Sequence, residues 1–127
     1  MTSRKDKKFS ARNRLLSFRY AFLGVRTVFR DQHNIRIEAV MAALAVTAGF
    51  IFSLSATEWI LLLLVIALVL SLEMVNTALE YLVDLASPGR HPVAGKIKDI
   101  AAGAVLISAI FSVIIGLILF IPKILNL

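Results

Sequence analysis

A carboxylate inside an apolar helix constrains this chain more than any other feature. Residues 59–72, from Trp59 to Leu72, are uncharged and run directly into Glu73. Crossing a bilayer takes roughly 20 apolar residues, so the span must continue beyond Leu72 and carry Glu73 into the membrane. At about 1.5 Å per residue, Glu73 lies about 21 Å from Trp59, well inside a hydrocarbon core about 30 Å thick. Glu73, Asn76, Thr77, Glu80 and Asp84 follow the spacing i, i+3, i+4, i+7, i+11 and share one helix face. Asp84 then emerges at the surface. A carboxylate at the depth of Glu73 is costly unless it faces a bundle interior, a partner or water, and such a group is a functional candidate. Solvating a helix end does not require three acids and an amide on a single face.

The remaining sequence suits the same solvent. At 127 residues, 59% hydrophobic and 17% charged, the chain is too apolar for a water-soluble domain and long enough for three membrane helices in one domain, residues 1–127. Lacking cysteine, it has neither disulfides nor thiolate chemistry. Residues 10–30 read as an amphipathic surface helix, with Leu15, Phe18, Phe22, Val25 and Phe29 on one stripe and Arg14, Arg19, Arg26 and Arg30 elsewhere around it. These arginines suit anchoring to anionic lipid, with one or two free to reach a phosphate-bearing substrate. Asp31-Gln32-His33-Asn34 breaks the pattern; His33 beside Asp31 has no third ligand nearby to make a metal site. Membrane helices are expected over 35–54, 59–86 and 93–121, with Ser55-Ala56-Thr57-Glu58 closing the first, Ser87-Pro88-Gly89 ending the second and Pro122 ending the third. Ala104, Ser108, Ser112 and Gly116 recur every four residues, a small-residue face for close helix packing. The expected fold is an all-α membrane protein: three transmembrane helices plus an N-terminal amphipathic surface helix.

Charge sets the expected orientation. Ten Lys/Arg, including Arg4, Lys5, Lys7 and Lys8, precede residue 39, and Arg90, Lys96 and Lys98 flank the second loop, whereas only Lys123 lies on the opposite side. This positive-inside bias places the N-terminus and the 86–99 loop in the cytoplasm and the C-terminus outside, in a multi-pass protein of the inner (cytoplasmic) membrane. A basic segment joined to membrane helices meets lipid headgroups rather than nucleic acid. The carboxylate stripe therefore opens toward the compartment that holds ATP. Out of water a carboxylate is a stronger base, which suits Glu73 to taking a proton from a hydroxyl at the membrane interface. Glu80 and Asp84, nearer the cytoplasm, are hard oxygen donors of the kind that hold Mg²⁺ together with substrate phosphates, and Lys98 is placed to neutralise phosphate charge. Base, metal and cation in that order describe phosphoryl transfer from a nucleotide to a lipid alcohol. No G-x-x-x-x-G-K-[ST] loop is present, so a P-loop enzyme is excluded. The residues alone leave open a small proton-coupled transporter with Glu73 as proton carrier, although no inverted repeat is visible.

The run Glu73-Met74-Val75-Asn76-Thr77-Ala78-Leu79-Glu80-Tyr81-Leu82-Val83-Asp84, then His91-Pro92 and Lys98-Asp99-Ile100-Ala101-Ala102-Gly103-Ala104-Val105, resembles the signature of the bacterial integral-membrane diacylglycerol kinase and undecaprenol kinase family. The resemblance implies a homotrimer with a site shared between subunits, using Mg-ATP to phosphorylate a membrane lipid alcohol. It places the general base at Glu73 with Asn76 beside it, a metal-binding glutamate at Glu80, and nucleotide contacts at Asp84, His91, Lys98 and Asp99. The family's second metal-binding glutamate falls at Gln32, an amide, with Asp31 adjacent and Glu38 one helical stretch away as alternatives. The His91-Pro92 loop and the Ile121-Pro122-Lys123 end look more like the undecaprenol kinase branch.

Overall fold

In the computed structural model, residues 10–127 are described; the expected basic residues Arg4, Lys5, Lys7 and Lys8 lie outside the described residues. Four helices follow in order: α1 (Ala11–Asp31), α2 (His33–Ile51), α3 (Ala56–Ala86) and α4 (Pro92–Leu125), with no strand among the described residues. The last three, at 19, 31 and 34 residues, are long and apolar enough to cross a membrane.

Local chemistry explains each boundary. Ser10 caps α1 by accepting the Asn13 N–H at 3.1 Å. A single extended residue, Gln32 (φ −109°, ψ 125°), separates α1 from α2. The Arg36 guanidinium reaches back over this elbow and donates to the carbonyls of Phe29 at 2.8 Å and Arg30 at 2.7 Å, pairing acceptors that the end of α1 leaves open. α2 stops at Ile51, three residues short of the expected 54, and Ser53 takes a left-handed conformation (φ 53°) in the turn.

Two expectations about helix ends need correction. Ser55-Ala56-Thr57-Glu58 does not merely close the first span: Ser55 and Glu58 form a reciprocal capping box, each bond 3.2 Å, so α3 starts at Ala56 rather than at Trp59. Pro122 does not end α4, which continues to Leu125. The proline removes one backbone bond, to the carbonyl of Ile118 in the preceding turn, and leaves the last turn free to stay helical; Lys123, one residue on, forms an ion pair with Glu58 at 3.2 Å.

α3 and α4 form an antiparallel hairpin, α2 packs beside α3, and α1 meets both near the elbow. A small core of Leu54, Leu62 and Leu119, with Trp59, Ile66 and Phe120 packed against it, closes one end of the hairpin. Gly49 belongs to this end by necessity, because a Cβ there would sit 2.7 Å from the Trp59 ring. Elsewhere large apolar side chains point outward, among them Leu64, Leu68, Leu106, Ile107, Ile114 and Ile118. Such surfaces are stable against lipid or a partner and not against water. In α1, Leu15, Phe18 and Phe22 are exposed, as are Arg14, Arg19 and Arg26, and Val28 is buried.

Candidate active site

The polar stripe on α3 is graded by depth. Glu73 is 2% exposed, Asn76 and Thr77 are buried, Glu80 is half-buried and Asp84 is open. Helical periodicity puts them on one face of α3, buried at its inner end and open at its outer end. Thr77 spends its hydroxyl on its own helix, donating to the Glu73 carbonyl at 2.9 Å. Asn76 donates Nδ2 to Glu80 Oε1 at 3.4 Å, while its Oδ1 is buried with no partner. A buried unpaired acceptor is costly, and Asn76 Oδ1 has capacity for a donor or cation that one chain does not supply.

α2 adds a residue that the sequence suggested only as an alternative. Glu38, half-buried on α2, comes near enough to Glu73 for the two charges to influence each other, and its Oε2 is also buried without a partner. Glu80, two turns along α3, also acts on Glu73 through its charge. Among the described residues no three acid or histidine side chains converge tightly enough to hold a metal by themselves. The donor set is nonetheless of the right chemistry for Mg²⁺, which takes one or two carboxylates and completes its shell with water and phosphate oxygens.

Nearer the helix ends, the α3–α4 turn encloses an open cavity of 650 Å³. Asp84 and Lys98 line it and form an ion pair across the hairpin. His91 and Arg90 line it from the turn, with Gly89 and Gly95 leaving room between them. His91 is the N-cap of α4: its Nδ1 accepts the Val93 N–H at 3.1 Å, so the neutral ring carries its proton on Nε2. Pro92 at the first position of α4 fits because its missing N–H would have had no helical partner. Arg90 is the lining cation that sequence reasoning counted only toward membrane orientation; nothing in a loop arginine distinguishes the two roles until the turn is folded.

Of the remaining expected residues, Asp99 is exposed and does not line the cavity, since one residue of helix turns it about 100° from Lys98. Gln32 is half-buried at the elbow and makes no side-chain cap to α2. Asp31 is already engaged: Arg30 donates to it at 2.8 Å and the Tyr81 hydroxyl of α3 donates to it at 2.9 Å. The Arg30 guanidinium first, and then the Tyr81 hydroxyl, hold the Asp31 carboxyl below its usual range. The structure thus brings Glu38, Glu73, Asn76 and Glu80 into one inner cluster, gathers Asp84, His91 and Lys98 around the cavity, and leaves Asp99 apart.

The sequence profile described as prokaryotic diacylglycerol kinase matches residues 19–120. Undecaprenol kinase of Bacillus subtilis is 40% identical over 119 residues, covering 94% of this chain and 97% of that protein. Diacylglycerol kinase of Synechocystis is 43% identical over 125 residues, covering 98% of this chain and 71% of that protein. Diacylglycerol kinase of Escherichia coli K12 is 33% identical over 100 residues, covering 79% of this chain and 82% of that protein.

Proposed function

The chain belongs to the prokaryotic diacylglycerol kinase family, and from that membership we infer that it transfers the γ-phosphate of ATP to the hydroxyl of a membrane lipid alcohol, assisted by Mg²⁺. The observation that carries the assignment of roles is the graded stripe, with a buried Glu73 at its inner end and a cation-lined cavity at its outer end. In this reading the lipid hydroxyl reaches Glu73, which accepts its proton as the oxygen attacks the γ-phosphorus. A new O–P bond forms, the bond to the bridging oxygen breaks, and ADP leaves. Asn76 sits beside the base, and Asp84, His91 and Lys98 contact the nucleotide, whereas Asp99, expected to join them, points away from the cavity and is left out of this reading. Bound Mg²⁺ would be held by Glu80 and Gln32 with the phosphate oxygens, where it supplies charge neutralisation. Lys98 offsets phosphate charge from the α4 side, and Arg90 adds a second cation at the mouth.

Undecaprenol is the proposed acceptor. The near full-length match to the Bacillus subtilis undecaprenol kinase and the His91-Pro92 and Ile121-Pro122-Lys123 segments favour it, although the Synechocystis diacylglycerol kinase is similar to the same degree. An oligomer is proposed because Glu38 Oε2 and Asn76 Oδ1 are left unpaired within one chain and the apolar helix faces need cover, and the resemblance to the family makes that oligomer a homotrimer. The chain is placed in the inner membrane with its N-terminus cytoplasmic and its C-terminus outside, α1 lying along the interface. The proton-coupled transporter finds no support in relatives that are named kinases. Radiolabelled ATP offered to the purified protein with undecaprenol and diacylglycerol side by side tests the reading. Label should enter undecaprenol faster; preferential labelling of diacylglycerol overturns the acceptor, and label in neither lipid overturns lipid phosphorylation.

A further inference from the structure

The α1–α2 elbow is a stiff joint. Only Gln32 leaves the helical conformation there, and its N–H still bonds the Val28 carbonyl at 2.8 Å. The planar Arg36 guanidinium bridges the carbonyls of Phe29 and Arg30, tying the first turn of α2 to the last turn of α1, and Ile35 beside it is fully buried. Whatever holds the elbow therefore aims the whole of α1. Val28 is the buried residue of that helix, and from there the helix runs about 25 Å to Ala11, at about 1.5 Å per residue.

The elbow is held in turn from α3. The Tyr81 hydroxyl donates to Asp31 Oδ2 at 2.9 Å, across 50 residues of sequence, and Arg30 donates to Oδ1 of the same carboxylate at 2.8 Å, so both oxygens are engaged. Seated in this way, α1 has a defined roll. With Val28 against the bundle, the helical repeat of about 100° per residue puts Arg12, Arg19, Arg26 and Arg30 within about 40° of one another on the opposite side, and the apolar stripe about a quarter turn from each. A helix of this kind lies flat on a bilayer with its arginines in the headgroup layer, and rolling it lifts the apolar stripe into water. Tyr81 directly follows Glu80, so the arm is attached to α3 at the level of the outer part of the carboxylate stripe. The nucleotide cavity is built elsewhere, by residues between Val83 and Lys98 in the α3–α4 hairpin.

We propose that Tyr81, acting through Asp31, is a positioning residue for the lipid acceptor: their bond clamps the elbow, and the clamped elbow holds α1 flat at the interface, beside the stripe that the lipid hydroxyl must reach. The proposal rests on the lipid-kinase reading above. It also separates the two substrates, because the hairpin builds the nucleotide cavity while the elbow aims the arm.

A chain without cysteine makes the clamp directly measurable. Spin labels on Tyr20→Cys in α1 and Leu85→Cys in α3, both exposed positions, report the distance between arm and hairpin by double electron–electron resonance in bilayer nanodiscs, with labelled chain diluted in unlabelled chain. Tyr81→Phe keeps the ring and removes the hydroxyl. It should broaden the distance distribution and raise the KM for the lipid alcohol by about 2- to 10-fold, the worth of one hydrogen bond, while kcat at saturating lipid and the KM for ATP are kept. Adding Tyr81→Phe to Asp31→Ala should change neither readout further, because one bond cannot be lost twice. Should Tyr81→Phe not fold, Asp31→Ala removes the acceptor instead and is read in the same way. A distribution as narrow as that of the wild type overturns the clamp, and additive effects in the double variant overturn the pairing. A KM for ATP that rises as much as that for lipid overturns the lipid role. A wild-type chain that phosphorylates no lipid overturns the kinase reading and the lipid role with it, whereas the distance measurement still decides the clamp.

Discussion

Glu73 and Glu80 lie seven residues apart on one face, so about 10 Å of helix axis separates two chemically identical side chains. Burial distinguishes their roles: Glu73 is 2% exposed, where a lipid hydroxyl is a better neighbour than a hydrated cation, and Glu80 is half-buried beside the cavity end. Glu73→Gln should lower turnover by about 10²-fold or more while Mg-ATP affinity by calorimetry persists, because shape is kept and basicity lost. Glu80→Gln should weaken Mg-ATP binding itself. A Glu73→Gln protein turning over at the wild-type rate would remove it from the role of base. At the elbow, Gln32→Glu should lower the Mg²⁺ concentration for half-maximal rate, since a carboxylate is the stronger ligand.

At the scale of elements, the two ends of the α3–α4 hairpin do different work. The end away from the cavity is packed: Trp59 lies over Gly49 and tilts against Phe50 with ring centroids 4.8 Å apart, and Lys123 pairs with Glu58. Gly49→Ala would drive a methyl to 2.7 Å from the Trp59 ring, so the ring or α2 must move. Overpacking of this kind costs about 1–3 kcal/mol, which a lowered thermal unfolding temperature in detergent would register. The cavity end is held by polar contacts instead, the Asp84–Lys98 pair and the His91 cap. Lys98→Ala should therefore weaken nucleotide binding more than it destabilises the fold, and the two are separated by measuring ATP affinity and unfolding on the same preparation.

For the whole molecule, one chain is an incomplete solution to its own composition. Its helices leave long apolar surfaces uncovered, and its buried cluster leaves Glu38 Oε2 and Asn76 Oδ1 unpaired. Lipid satisfies the first deficit but not the second. Ser108→Leu should loosen helix packing and lower the unfolding temperature in detergent, because Ser108 is 5% exposed within one chain on the small-residue face of α4. A wild-type protein that sediments as a monomer with full activity would argue against a shared site. Topology has a separate test in a chain without cysteine: single cysteines introduced at Lys96 and Thr57 should be labelled from the cytoplasmic and the outer side respectively.

Hydropathy, Lys/Arg distribution and the stripe spacing were sufficient to read three spanning helices, the polar face of α3 and the charged turn after it, because each of these depends on residues close in sequence and on the helical repeat. Helix ends were less legible: the Ser55–Glu58 capping box carries a local signature, yet Pro122 reads as a stop and is not one, since a proline costs the helix one bond to the preceding turn without preventing the residues after it from keeping helical backbone angles. What only the tertiary structure decided is which distant groups meet. Glu38 coming near Glu73, Arg90 lining the cavity with Asp84, and Tyr81 bonding Asp31 across 50 residues all depend on how helices pack and where the elbow turns. Periodicity assigns a side chain to a face of its own helix, but its partners are chosen by helix rotation and crossing, which many local sequences satisfy equally well.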